Sequence, residues 1–109
     1  MKKRTKFLPY GCQEITAADK QMVMEALEQP LITQGDFVER FEQELADFTD
    51  AQSAAAVNSG TAALHAACYA AGVTAGDEVI TTPLTFASSA NAALFLGAKP
   101  VFADVEANT

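Results

Sequence analysis

Tryptophan is absent from this 109-residue chain, histidine occurs once, and cysteine occurs only twice. Cys12 and Cys68 are far apart and form no CxxC or CxxH spacing, so a metal or dithiol redox motif is excluded. Cys68 falls in an alanine-rich run and reads as a small buried hydrophobe. Positive charge is scarce beyond the extreme N-terminus. Of seven basic residues, Lys2, Lys3, Arg4 and Lys6 stand in the first six positions, and the net charge is −7. From residue 7 onward three basic residues face 14 acidic ones, a balance that repels nucleic acid. No uncharged apolar run reaches the roughly 18 residues of a membrane span. The basic start lacks the apolar stretch of a secretory signal, since only Phe7 and Leu8 intervene before Pro9. The expectation is a cytoplasmic chain with a solvated N-terminal arm and no membrane or nucleic-acid partner.

Half of the residues are hydrophobic, which suits a packed globular protein of at most one domain. Thr16-Ala-Ala-Asp19 has the form of a capping box, and Met22, Val23, Ala26 and Leu27 follow at helical spacing up to Pro30. The loop LITQGD comes next, with Gly35 as its flexible point. Phe37, Phe41, Leu45 and Phe48 then recur at i, i+4, i+8 and i+11, while Glu39, Glu42, Gln43 and Asp47 take other faces. That helix should press its aromatic stripe against a large surface.

From residue 53 acidic residues thin out. Strands are expected over 53–58, 78–82 and 100–104, and helices over 60–71 and 88–96. Gly72 and Gly97 stand where helix C-caps belong. The order is β-α-β-α-β, and connections of this length imply parallel strands. Residues 1–52 then form an arm and two helices, and residues 53–109 begin an α/β domain. Both of its helices are apolar nearly all round, which calls for cover on more than one side. The final strand leads to no further helix. Together these features suggest an N-terminal piece of a longer protein.

The stretch VNSGTAALH (57–65) joins an expected strand to an expected helix through Ser59, Gly60 and Thr61. Such a join points bare N–H groups and hydroxyls at one spot, an arrangement that binds phosphate. A charge-assisted hydrogen bond there contributes about 1.5–3 kcal/mol. Standard nucleotide cradles do not fit. No lysine follows Gly60 as a Walker A motif requires, and the second and third glycines of GxGxxG are missing. Alone, the turn is equally a plain N-capped helix start.

The neighbouring motifs are more specific. LITQGDFVERFEQELADF, NSGTAAL, GDEVITTPLTF and GAKPVFADV, with PYGCQEIT before them, resemble the nucleotide-sugar aminotransferases of the DegT/DnrJ/EryC1/StrS family. The resemblance runs from about Pro9 to Glu106. It implies the N-terminal part of the fold type I transferase architecture: an α/β fold with a mostly parallel sheet and flanking helices, incomplete here. It also implies pyridoxal 5'-phosphate as cofactor. The SGT turn would hold the cofactor phosphate through Gly60 and Thr61, and Phe86 would stack on the pyridine ring. Tyr10, Thr33 and again Gly60 would face substrate. The implied reaction moves an amino group from glutamate to a nucleotide-linked keto sugar, feeding polysaccharide or glycan synthesis, in a homodimer with interfacial sites.

Phe86 could instead be a core aromatic, but its place just past a strand's C-terminal end argues against burial, because ligands sit at that end of open α/β sheets. His65 has no carboxylate at helical spacing and reads as a packing residue. Lys99 reads as a surface residue. No lysine here matches the Schiff-base lysine of the family, which is expected downstream of Thr109, so no catalytic residue is assigned and the segment alone should be inert. Two alternatives stay open: a sugar dehydratase of the same family, and a non-catalytic α/β phosphate-binding module.

Overall fold

The computed structural model describes residues 11–33 and 35–106. The first helix, α1, spans Ala17–Leu27 and begins with the expected capping box. The Thr16 N–H donates to Asp19 Oδ2 at 2.6 Å, and the Asp19 N–H donates to Thr16 Oγ1 at 3.3 Å. These reciprocal bonds satisfy two donors at the helix start. The Thr16 backbone N–H, and then its hydroxyl, hold the Asp19 carboxyl below its ordinary value.

Helix α2, Asp36–Thr49, starts after an extended Gly35. A Cβ at Gly35 would lie 2.8 Å from the Leu31 carbonyl oxygen, so close approach of the backbone requires glycine there. Asp36 and Glu39 in the first turn complement the positive end of the helix. The aromatic stripe forms, but among the described residues only its first member, Phe37, is partly covered. Phe48 is 89% exposed, Phe41 and Leu45 are also exposed, and only Ala46 of this helix is buried. The large surface that the stripe calls for is absent among the described residues.

Helix α3 spans Gly60–Ala70, strand β1 Glu78–Thr81, helix α4 Ser88–Phe95 and strand β2 Lys99–Phe102. β1 and β2 pair in parallel, with Glu78 opposite Lys99 and Thr81 opposite Phe102. The Lys99 N–H donates to the Asp77 carbonyl at 2.8 Å, and the Ala103 N–H donates to the Thr81 carbonyl at 2.9 Å. Gly72 and Gly97 follow α3 and α4 with φ of 83° and 75°, the left-handed conformation expected of helix-ending glycines. α4 packs on both strands and on α3.

One expected element does not form. Residues 53–58 are not a strand, so the order from residue 53 is α-β-α-β. A strand exists only through a ladder partner, and none of the described residues supplies one. The Ala56 N–H instead donates to Glu42 Oε1 at 2.6 Å. The core is small. Among the described residues Ala46, Ala92, Ala93 and Ala98 are its buried apolar members. Cys68 is half-buried rather than buried, because α3 meets α4 on one side only among the described residues. The radius of gyration is 19.0 Å, against about 13 Å for a compact chain of this length. No described helix is long and apolar enough to cross a membrane.

Candidate functional site

The NSGT turn is the start of α3. Ser59 is its N-cap in extended conformation, and its hydroxyl oxygen accepts the Ala62 N–H at 3.2 Å. The Ser59 carbonyl accepts the Ala63 N–H at 3.0 Å. The latter is the first regular bond of the helix, so of the four donors at its start, on Ser59, Gly60, Thr61 and Ala62, only that of Ala62 is satisfied. The other three, on Ser59, Gly60 and Thr61, have no protein partner among the described residues. All three residues are exposed. A Cβ built at Gly60 would meet nothing within 4 Å. The glycine is therefore not imposed by neighbouring protein atoms, and its bare backbone faces open space.

Electrostatics favour an anion at this point. α1 and α2 each carry acid in the first turn, whereas α3 carries none. The positive end of the α3 dipole is left without a carboxylate of its own first turn. The free N–H groups of Gly60 and Thr61, the Thr61 hydroxyl and this field form a donor set suited to a phosphate group.

Phe86 lies in the segment between β1 and α4. Its carbonyl accepts the Ser89 N–H at 3.1 Å, which ties its backbone to the start of α4. Its side chain is 74% exposed among the described residues. It lines a cavity of about 430 Å³ with Thr82, Pro83, Thr85 and Asn91 among its walls. An exposed ring on an anchored backbone can stack on a flat ligand.

Thr33 lines a different cavity, of about 840 Å³, between the loop entering α2 and residues 56–58. The structure thus brings Thr33 and Gly35 beside the run that feeds the Ser59–Thr61 turn. Phe86 is not among the residues of this cavity. Tyr10 lies outside the described residues.

His65 and Lys99 have structural partners. The His65 ring stands 5.4 Å from the Phe95 ring at an angle of 58°, packing α3 onto α4. The Lys99 ammonium donates to Glu78 Oε1 at 2.8 Å. That hydrogen bond and the charge of Glu78 push the lysine above its ordinary value. A nucleophilic lysine needs the opposite shift. Glu42 went unnoticed in the sequence, where it read as one more polar position on α2. Its bond to Ala56 spans fourteen positions, beyond any local periodicity.

Comparison with known proteins places the chain in a family. Residues 13–109 match the DegT/DnrJ/EryC1/StrS aminotransferase family. The chain is 50% identical over all its 109 residues to the spore coat polysaccharide biosynthesis protein SpsC of Bacillus subtilis. It is 37% identical over 105 residues, 95% of its length, to GDP-perosamine synthase of Escherichia coli O157:H7. Among solved structures, Spr1654 from Streptococcus pneumoniae in its PLP form superposes with a TM-score of 0.79 and 32% identity. That match covers 94% of this chain and 26% of Spr1654. The chain spans 28% of SpsC and 29% of GDP-perosamine synthase. With the family match over residues 13–109, and an α/β unit whose first helix after residue 53 opens on unpaired donors, the chain belongs to the DegT/DnrJ/EryC1/StrS aminotransferase family.

Proposed function

We propose that this chain is the N-terminal part of a pyridoxal-phosphate-dependent aminotransferase that converts a nucleotide-linked keto sugar to an amino sugar, with glutamate as donor. The observation that carries the reading is the pair of N–H groups on Gly60 and Thr61. They open onto space at the start of α3, which carries no acid in its first turn. The PLP and PMP forms of Spr1654 support the choice of cofactor. The sugar-related names of SpsC and GDP-perosamine synthase support the substrate class.

Bound pyridoxal phosphate supplies the electron sink for amino-group transfer. The residues of this chain bind and orient. Gly60 and Thr61 fix the phosphate by two N–H donors and a hydroxyl. Phe86 presents a flat face that limits rotation of a bound ring, and alignment of the reacting centre is worth much of the barrier. Thr33, beside residues 56–58, and Tyr10 contact substrate. Among the described residues no lysine is set up as a nucleophile, since Lys99 is ion-paired and Lys20 stands on exposed α1. The covalent partner of the cofactor then comes from the rest of the protein, and the segment alone is inert. A homodimer with interfacial sites completes the reading, because the described residues leave broad apolar faces uncovered.

The test uses the whole protein. Incubated with glutamate and a nucleotide-linked keto sugar, it should release 2-oxoglutarate in step with amino-sugar formation. Consumption of the sugar with loss of a hydroxyl and no 2-oxoglutarate would refute transamination.

A further inference from the structure

Residues 52–58 lead directly into the turn, yet they have little to hold them. They form no strand, and among the described residues a single hydrogen bond joins them to another element. That bond is the Ala56 N–H to Glu42 Oε1 at 2.6 Å. It joins a backbone donor to a carboxyl oxygen on a different element, fourteen positions away. Glu42 is half-buried on α2, and among the described residues no cation pairs with it. Its carboxylate is thus committed to a backbone donor. Ala56 is four residues from Gly60, within about 14 Å along an extended chain. On the far side of the turn, α3 is anchored by packing on α4. The near side has Glu42 as its side-chain strut.

Resting on the assignment of the turn as the phosphate site, we infer that Glu42 is a positioning residue for that site. It acts through the Ala56 backbone, holds the approach to Ser59–Thr61 in place, and so sets how well the Gly60 and Thr61 donors converge on a phosphate. It touches neither cofactor nor substrate. A misplacement of about 1 Å at such a site costs roughly a hundredfold when it reaches the reacting centre. A loosened strut behind an otherwise intact helix start should cost less.

The experiment compares pyridoxal phosphate with pyridoxal, which lacks the phosphate, by absorbance titration of the whole apoprotein. Glu42→Ala should weaken pyridoxal phosphate binding about tenfold and change pyridoxal binding less than twofold. Amide hydrogen exchange at residues 54–61 of the apoprotein should quicken. Glu42→Gln keeps an oxygen acceptor and should stay within threefold of the parent for both ligands. Equal losses for both ligands, or no loss for either, would overturn the inference, as would a Glu42→Gln variant as weak as Glu42→Ala. If Glu42→Ala does not fold, Glu42→Asp, one methylene shorter, must still lower the preference for the phosphorylated ligand. An unchanged preference in that variant also overturns it. Thr61→Ala separates the two ideas. Should it keep the parent's preference for the phosphate, the turn assignment itself fails. Should it lose that preference while Glu42→Ala keeps it, only the role of Glu42 fails.

Discussion

Gly60→Asp should separate folding from binding at the start of α3. Position 60 is the first helical residue after the Ser59 cap. Nothing lies within 4 Å of a Cβ there, so the new side chain has room. An acid in the first turn favours the helix by about 0.3–1 kcal/mol through the dipole. Replacing glycine in a helix adds a few tenths of a kcal/mol more. The apoprotein should therefore melt at the same temperature as the parent or slightly higher. Binding should move the other way. Two unit charges about 4 Å apart repel by about 4 kcal/mol at the effective dielectric of a protein surface. Allowing half of that for solvent screening and side-chain retreat leaves about 2 kcal/mol, or roughly a thirtyfold weaker pyridoxal phosphate complex. The assay is cofactor titration of the whole apoprotein beside thermal melting followed by circular dichroism. A cofactor affinity within threefold of the parent would refute the placement of phosphate at this turn. A drop of several degrees in melting temperature would instead refute the expectation that the start of α3 gains from an acid.

Phe86→Ala should weaken pyridoxal phosphate binding by about 0.5–1.5 kcal/mol, roughly threefold to tenfold, with little effect on the melting of the apoprotein, whereas Phe86→Tyr should bind as the parent does. A melting loss as large as that of a core substitution would restore the core-aromatic reading. Gly35→Ala forces a methyl to within 2.8 Å of the Leu31 carbonyl oxygen and should cost roughly 1–3 kcal/mol in urea unfolding of the whole protein; an unchanged midpoint would mean that the loop yields freely. The capping box of α1 predicts a pH effect of definite sign. The Asp19 carboxyl is held below its ordinary value by the Thr16 donors, so its contribution is present above the ordinary carboxylate pKa and is lost as pH falls through the folded one. Protection of the first-turn amides of α1 should fade in that acid window in the parent and be low at every pH in Asp19→Ala.

Local chemistry was legible. Thr16 and Asp19 mark the first residue of α1 because capping uses neighbours three positions apart. Gly72 and Gly97 mark helix ends because a left-handed residue is needed there. The helix at 60 and the parallel pair around α4 followed from periodicity and connection length. What failed was non-local. Residues 53–58 have strand composition, but a strand is a relation between two segments, and no described segment pairs with them. The stripe of α2 forms at the expected spacing, yet no described segment covers Phe41, Leu45 and Phe48, and helical spacing does not say what would. The candidate site divides the same way. Gly60, Thr61, Phe86, Thr33 and Tyr10 came from motif resemblance, while Glu42 became visible only once α2 and residue 56 were close in space.

The small sheet also has a direction of growth. Lys99 and Ala103 turn their N–H groups toward β1. By the alternation of a strand, position 100 then faces away from β1, and that position is proline. The outer rim of β2 lacks a donor in its middle, and the residue beyond it on that rim is Phe102. The outer rim of β1 presents Glu78 and Ile80 with their N–H groups intact. Proline is tolerated at an outermost strand and resists further pairing. A strand arriving from elsewhere in the protein therefore finds a complete rim beside β1 and an interrupted one beside β2. The sheet is built to widen from β1 and to end at β2.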